Sequence, residues 1–446
     1  MLAVASGPRR ASWPKRRWLF NDPPRMSTSA VMLAAPAAAG GEPSWSPALR
    51  LLTDRGRATA WRPAAVAAAL AARAAGLRAH TVWPTVRHPR FAADMGHPGS
   101  AAWLRATFEP EARTQRFPGP ATWSALRARG LVSGAPSGLA TEALARATGR
   151  PPGGVRLGLY SPTGQSNSKV ACFAFEPGAS EPVLVVKAMP ERRFAERLRH
   201  ETEIVESIRA RLDDAPTAAA LPLRPVLADT VRGDYVVVQP VDPLAAATGA
   251  LAEPAAALAW LRDFHVATTL VTAPWGAADT ESALDHVRYA WGRARPAGEG
   301  EVTARAAALL GALEGRPVRR CAVHGDFWQG NLAQRGGELR VYDWEWARPE
   351  GSPFFDLWTT ELGPLRRAAE VGTADLVAPL GDALARVADE LRRQGTDPRF
   401  ALATLAPSLG ELVFRVRRST GVPGGAEAES ARLMDAAAEL LGSSAR

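Results

Sequence analysis

The alternation of apolar and polar residues divides the chain. Over residues 1–150 it is broken repeatedly by Pro, Gly and Arg, and from residue 155 it becomes regular. Val155–Ser161, Lys169–Glu176 and Val183–Met189 are apolar, partly β-branched runs separated by the turns Pro162–Gln165 and Pro177-Gly178, and they predict three successive strands. From Glu191 to Leu212, Phe194, Leu198, Val205, Ile208 and Leu212 recur at helical spacing and predict an amphipathic helix. The gap in that stripe is filled by Glu201, three residues after Leu198 and four before Val205. A carboxylate on a buried helix face needs a cation, because desolvating an unpaired charge is costly. The nearest lysine in sequence is Lys187, in the middle of the preceding apolar strand, so the pattern predicts a Lys187–Glu201 ion pair. Tyr235–Val238 predicts a further strand ending at Gln239-Pro240, after which the chain is mostly helical apart from one hairpin.

That hairpin follows Val323-His324-Gly325-Asp326-Phe327-Trp328-Gln329-Gly330-Asn331 and turns at Gly336-Gly337 into Leu339–Asp343. With a three-residue loop at 336–338, Asn331 lies directly across from Asp343 on one face. Two oxygen-bearing side chains so placed suit a hard divalent cation such as Mg²⁺. A two-residue turn shifts the register by one and removes that alignment. Asp326, five residues before Asn331, sits on the entering loop and is suited to accept a proton from a hydroxyl beside the metal. His324 is expected to hydrogen-bond the loop backbone and His265 to pack between helices. His80, His88 and His97 lack zinc-ligand spacing.

Composition narrows the class. The 446 residues are 46% hydrophobic and 22% charged, as in soluble globular proteins. Cys172 and Cys321, the only two cysteines, exclude a disulfide scaffold and read as buried thiols of a reducing, cytoplasmic compartment. No apolar run is long enough to span a bilayer. Charge is uneven: residues 1–150 hold 21 Lys+Arg and 7 Asp+Glu, a net of +14, which leaves −5 of the total +9 for the remainder. The basic part reads as a solvated face by default. A platform for an anionic surface or partner is the next reading, and nucleic acid is the least favoured. Only Lys15, Lys169 and Lys187 are lysine among 54 cationic residues, so an ammonium at 169 or 187 points to chemistry that a guanidinium does not supply, although Lys169, at a strand end, reads by default as a solvated edge residue.

His324-Gly325-Asp326-x-x-x-x-Asn331, then Asp343-Trp344-Glu345, then Gly351-Ser-Pro353-x-x-Asp356-Leu357 resembles the aminoglycoside phosphotransferase and choline-kinase group of protein-kinase-like enzymes. The resemblance covers roughly residues 151–446. It implies that Asp326 is the catalytic base, that Asn331 and Asp343 bind Mg²⁺, and that Asp356 buttresses the catalytic loop. It also implies that Lys187, fixed by Glu201, holds the α/β-phosphates of ATP, and that Gln239–Val241 receives the adenine. The phosphate-covering turn then runs from Ser161 through Gly164 to Lys169, with one glycine where protein kinases have three.

The expectation is a bilobal, protein-kinase-like α+β fold. A disordered basic arm (1–45) and a basic, mainly helical region (46–150, with a helix at Ala64–Ala75) precede an N-lobe (151–240) and a C-lobe (241–446). The expected activity is ATP- and Mg²⁺-dependent transfer to a hydroxyl of a small molecule, with aminoglycoside, amino alcohol, sugar and GTP as donor all left open. The alternative is a non-catalytic nucleotide-binding module that docks a partner or an anionic surface through residues 1–150.

Overall fold

The computed structural model describes residues 49, 51–52, 57–60, 78–84, 89–94, 96–113, 130–134, 138–150, 154–161, 168–213, 215–243, 252–370, 375–420 and 425–443. The arm at 1–45 (all but residue 49 of the first 50), the expected helix at 64–75 and Gly164 lie outside the described residues.

Nine strands form one antiparallel sheet: β1 (Arg57–Ala60), β2 (Arg78–Pro84), β3 (Pro89–Asp94), β4 (Gly130–Gly134), β5 (Arg156–Tyr160), β6 (Val170–Phe175), β7 (Pro182–Ala188), β8 (Leu227–Val231) and β9 (Asp234–Pro240). Their order is β1-β4-β2-β3-β5-β6-β7-β9-β8. The described part of 46–150 thus differs from the mainly helical expectation. It contributes four strands together with helices α1 (Pro98–Arg113) and α2 (Leu139–Thr148). β3 pairs with β5 through Phe91↔Tyr160, Ala92↔Leu159 and Ala93↔Gly158, so the sheet runs unbroken from the first third into the strands after residue 155.

Both sheet faces are covered, which is why β5, β6 and β7 read as near-continuous apolar runs. One face buries Leu157, Leu159, Val170, Cys172, Val186 and Val238 under Leu139, Ala143 and Leu144 of α2. The other buries Tyr160, Phe173, Phe175 and Val185 against Trp103 and Leu104 of α1. Phe108 of α1 stacks on Tyr160, with centroids 3.8 Å apart. Helix α3 (Ala195–Leu212) carries the stripe expected of it, with Leu198, Glu201, Val205, Ile208 and Leu212 all buried.

The second lobe is mainly helical. It comprises α4 (Pro254–Ala267), α5 (Ala277–Ala294), α6 (Glu299–Gly311), α7 (Phe354–Glu370), α8 (Val377–Arg393), α9 (Phe400–Thr420) and α10 (Gly425–Ser443). Its core includes Phe264, Trp291, Trp358, Phe400 and Leu409, each at most 1% exposed. Two small sheets lie in it: β10 (Val271–Pro274), β11 (Pro317–Val323) and β14 (Arg348–Gly351), and the hairpin β12 (Leu332–Arg335) with β13 (Glu338–Val341). The two-lobed α+β architecture expected from the sequence is therefore present. Both cysteines are buried thiols outside any disulfide. Among the described residues no helix is long and apolar enough to cross a membrane.

Candidate functional site

The hairpin register differs from the expected one. Leu332 pairs with Val341 and Arg335 with Glu338, which leaves the two-residue turn Gly336-Gly337. Both glycines have positive φ, 57° and 89°, the backbone that a tight hairpin turn matching strand twist requires. Asn331 therefore aligns with Tyr342, whose N–H donates to the Asn331 carbonyl at 2.8 Å, and does not face Asp343 across the ladder. Asn331 ends the single turn Gln329–Asn331, and Asp343 opens the turn Trp344–Trp346 in the left-handed region, at φ 65°. Both side chains border Asp326 by these irregular turns rather than by strand pairing.

The loop that carries Asp326 is held from several sides. Asp356, fully buried in the first turn of α7, accepts from the His324 N–H at 2.7 Å and from the Gly325 N–H at 2.6 Å. His265 of α4 lies 3.3 Å from the same carboxylate, so it both packs between elements and orients Asp356. Burial works against the Asp356 charge, but His265 and the backbone donors hold its carboxyl below the ordinary range. The His324 Nδ1 accepts from the Asp326 N–H at 3.1 Å, which leaves Nε2 as the donor to the Tyr342 carbonyl at 2.9 Å. His324 is thus a neutral tautomer bound to backbone, as expected, and burial keeps its pKa down. Gly325 has φ 82°, and a Cβ there would lie 2.3 Å from the Trp346 carbonyl, so no other residue fits.

Sequence reasoning missed Arg415 of α9, which donates to the Gly325 carbonyl and to Glu411 one turn earlier. Its guanidinium lies over the Phe355 ring, 4.3 Å from the centroid. The signal was available: Glu411 and Arg415 are spaced i,i+4 beside the buried Leu412 and Val413, the same logic that exposed Glu201. Burial opposes the Glu411 charge, yet Arg415 and Arg348 pull its pKa down to about 2 from an ordinary 4.5. A carboxyl depressed on folding contributes stability above its unfolded pKa and loses it as pH falls through the folded value. Glu411 is therefore expected to contribute about 3 kcal/mol that fades below about pH 4.5. Urea unfolding across pH 7 to 3 should show a shallower acid slope for Glu411→Gln than for the unaltered chain.

At the heart of the site the Asn331 amide donates to the Asp326 carboxylate at 2.8 Å and to its carbonyl at 2.9 Å. Burial first, then the charge of Asp343, push the Asp326 carboxyl up to about 6, and Arg415 and Arg366 partly offset them. Across from it Lys169 donates to Glu201 at 2.8 Å and also to Asp343. This corrects the expected pairing: Glu201 takes its hydrogen bond from Lys169, not Lys187. The register explains it. Ala171 pairs with Lys187, and residues 169 and 171 share a face, so both ammonium groups rise from the same side of the sheet toward one carboxylate. Lys187 feels Glu201 and Asp343 through charge, but burial and the neighbouring Lys169 lower its pKa. For Lys169 burial is outweighed by Asp343 and Glu201, which hold it well above its ordinary value. Lys169 is thus no solvated strand-end residue.

Gln239 is buried on β9 opposite Val185, and the Val241 N–H donates to the Val183 carbonyl at 3.1 Å. Val241 packs against the cluster that contains Tyr160, Phe173 and Val185. The segment after β9 is joined to the hairpin by Arg340, which donates to Asp242 at 2.6 Å. The two lobes also meet through His200 of α3, 2.9 Å from the Ala347 carbonyl, and Arg211, which donates to Pro349 at 2.6 Å.

Among the described residues no group of three or more His, Cys, Asp or Glu is arranged to hold a metal by itself. A site built from one carboxylate and one amide, completed by phosphate oxygens, needs no such group, because Mg²⁺ retains water and substrate oxygens in its shell. Both amide hydrogen bonds of Asn331 run to Asp326, which leaves its amide oxygen as the atom suited to coordinate. Asp343 supplies the hard anionic donor. The donor set fits the ion.

No family model matches the chain, and no curated protein matches it. Solved structures do. A thermostable mutant of aminoglycoside phosphotransferase APH(4)-Ia is 15% identical over 68% of this chain and 99% of its own, with a TM-score of 0.43. Glucosamine kinase in complex with glucosamine, ADP and inorganic phosphate is 18% identical over 65% of this chain and 83% of its own, at 0.40. Amicoumacin kinase hAmiN in complex with AMP-PNP, Ca²⁺ and its ligand is 13% identical over 65% and 86%, at 0.34. All three are kinases or phosphotransferases of small molecules.

Proposed function

We propose that the chain is a phosphotransferase that uses ATP and Mg²⁺ to phosphorylate a hydroxyl of a small-molecule acceptor. The observation that carries this reading is the convergence of Asp326, Asn331, Asp343, Glu201 and two lysines from four separate parts of the fold. Phosphoryl transfer asks a protein chiefly for alignment and charge neutralisation. Asn331 and Asp343 would hold the metal, which when bound supplies positive charge to the β/γ-phosphate oxygens. Lys187 and Lys169 would supply further positive charge to the triphosphate, with Glu201 fixing their positions. The base would lie at Gln239–Val241, beside the apolar group around Val185.

Asp326 would accept the hydrogen bond of the acceptor hydroxyl and take its proton as the hydroxyl oxygen bonds to the γ-phosphorus, while the bond from that phosphorus to the β-phosphate oxygen breaks and ADP leaves. Its raised pKa makes it a better base than an ordinary carboxylate, while the Asn331 amide fixes which way it points. The loop cannot drift, because Asp356 and Arg415 hold its N–H and carbonyl groups.

The test is an acceptor screen over aminoglycosides, amino alcohols and sugars, with ADP release as the readout. We expect at least one acceptor to raise ADP release well above the solvent background. Triphosphate binding with no acceptor turned over across the whole screen would favour a non-catalytic nucleotide-binding module instead.

A further inference from the structure

Lys169 lies where the proposed site needs a negative charge to be available. Its ammonium hydrogen-bonds Asp343, the only carboxylate assigned to the metal, and at the same time Glu201, so one side chain closes the helix α3 carboxylate onto the hairpin. Its side chain is one-fifth exposed and that of Glu201 one-tenth or less, so the charges attract in a poorly screened setting. Lys187, on the same face, makes no comparable bridge: its link to Asp343 is through charge alone. Two lysines beside one carboxylate pair exceed what a structural ion pair requires.

We infer that Lys169 is a displaceable internal cation that competes with the divalent metal for Asp343 and so couples metal binding to nucleotide binding. The inference rests on the phosphotransferase reading. An ammonium bonded to Asp343 neutralises that carboxylate and occupies an oxygen that would coordinate. A divalent ion arriving alone must break this bond and then sit close to the displaced positive charge. An ion arriving with a triphosphate brings acceptor oxygens, and the released ammonium moves from one anion to another while Glu201 keeps it tethered. Lys169 is thus a positioning residue that disfavours metal without nucleotide and then becomes a phosphate ligand.

The experiment is a Mn²⁺ titration of the full chain followed by electron paramagnetic resonance, first without nucleotide and then with a non-hydrolysable ATP analogue. Without nucleotide, Lys169→Met should bind Mn²⁺ at least about tenfold more tightly than the unaltered chain, because a unit positive charge beside the ion is gone. Lys187→Met should change that affinity by about threefold or less, because Lys187 does not occupy the Asp343 oxygen. Lys169→Gln provides a second neutral side chain should the methionine variant fail to fold. Glu201→Gln, which leaves Lys169 in place with one carboxylate fewer, should bind Mn²⁺ no more tightly than the unaltered chain. Equal affinity in the Lys169 variants and the unaltered chain would overturn the inference, as would equal tightening by Lys187→Met. If no variant binds Mn²⁺ even with the analogue present, the phosphotransferase reading itself fails and takes this inference with it.

Discussion

Asp326→Asn is expected to lower turnover by about 10²- to 10⁴-fold while nucleotide affinity stays within about threefold. The substitution keeps size and polarity and removes only the ability to take a proton. The hydrogen bond from the Asn331 amide to the side chain at position 326 can persist with an amide oxygen as acceptor. The groups proposed to hold nucleotide and metal, Lys169 and Asp343, are bonded to each other, with Glu201, and not to Asp326. A split between lost turnover and retained binding separates proton acceptance from a general disturbance of the site. Steady-state ADP release, paired with calorimetric titration of an ATP analogue, reads both quantities. Undiminished turnover in the variant would remove Asp326 from the role of base.

The second large effect is expected at Asp356, which is fully buried. Its two carboxylate oxygens accept from the backbone N–H groups of His324 and Gly325, and His265 contacts one of them. Asp356→Ala leaves two buried donors and a buried imidazole without an acceptor. Breaking a buried charged network of this kind costs about 3–5 kcal/mol. The loss should appear in the urea midpoint and, because the same carboxylate shapes the Asp326 loop, in turnover. Asp356→Asn retains one oxygen, so it should satisfy one backbone donor and lie between the two in stability. A variant as stable as the unaltered chain would show that the loop is held by Arg415 and its own packing instead.

Strands β5, β6, β7 and β9 and helix α3 were legible because their chemistry is local. A buried-face carboxylate at Glu201 betrays itself by interrupting an apolar stripe, and the burial of Glu201 follows. Which lysine it binds is not local. Lys169 and Lys187 sit on neighbouring strands, and only the pairing Ala171↔Lys187 shows that both rise from one face. Sequence distance favoured Lys187, and spatial distance favours Lys169. The hairpin shows the same limit. Gly336-Gly337 announced a turn, but its length decides whether Asn331 meets Asp343 or Tyr342, and two glycines suit either loop. The strands of the first third were hidden for another reason. Segments such as Arg78–Pro84 and Pro89–Asp94 contain Arg, His and Pro and few β-branched residues, and they become strands by joining the edge of an existing sheet. Arg415 was missed because its partner, the Gly325 carbonyl, is backbone and lies 90 residues away.

The central claim, that these side chains assemble around one metal–triphosphate group, is tested most directly by calorimetric titration of a non-hydrolysable ATP analogue with and without Mg²⁺, for the unaltered chain and Asp343→Asn. The account predicts that Mg²⁺ tightens binding to the unaltered chain strongly and that Asp343→Asn loses most of that gain. Absence of binding under either condition, or binding equally tight with and without Mg²⁺, would contradict it.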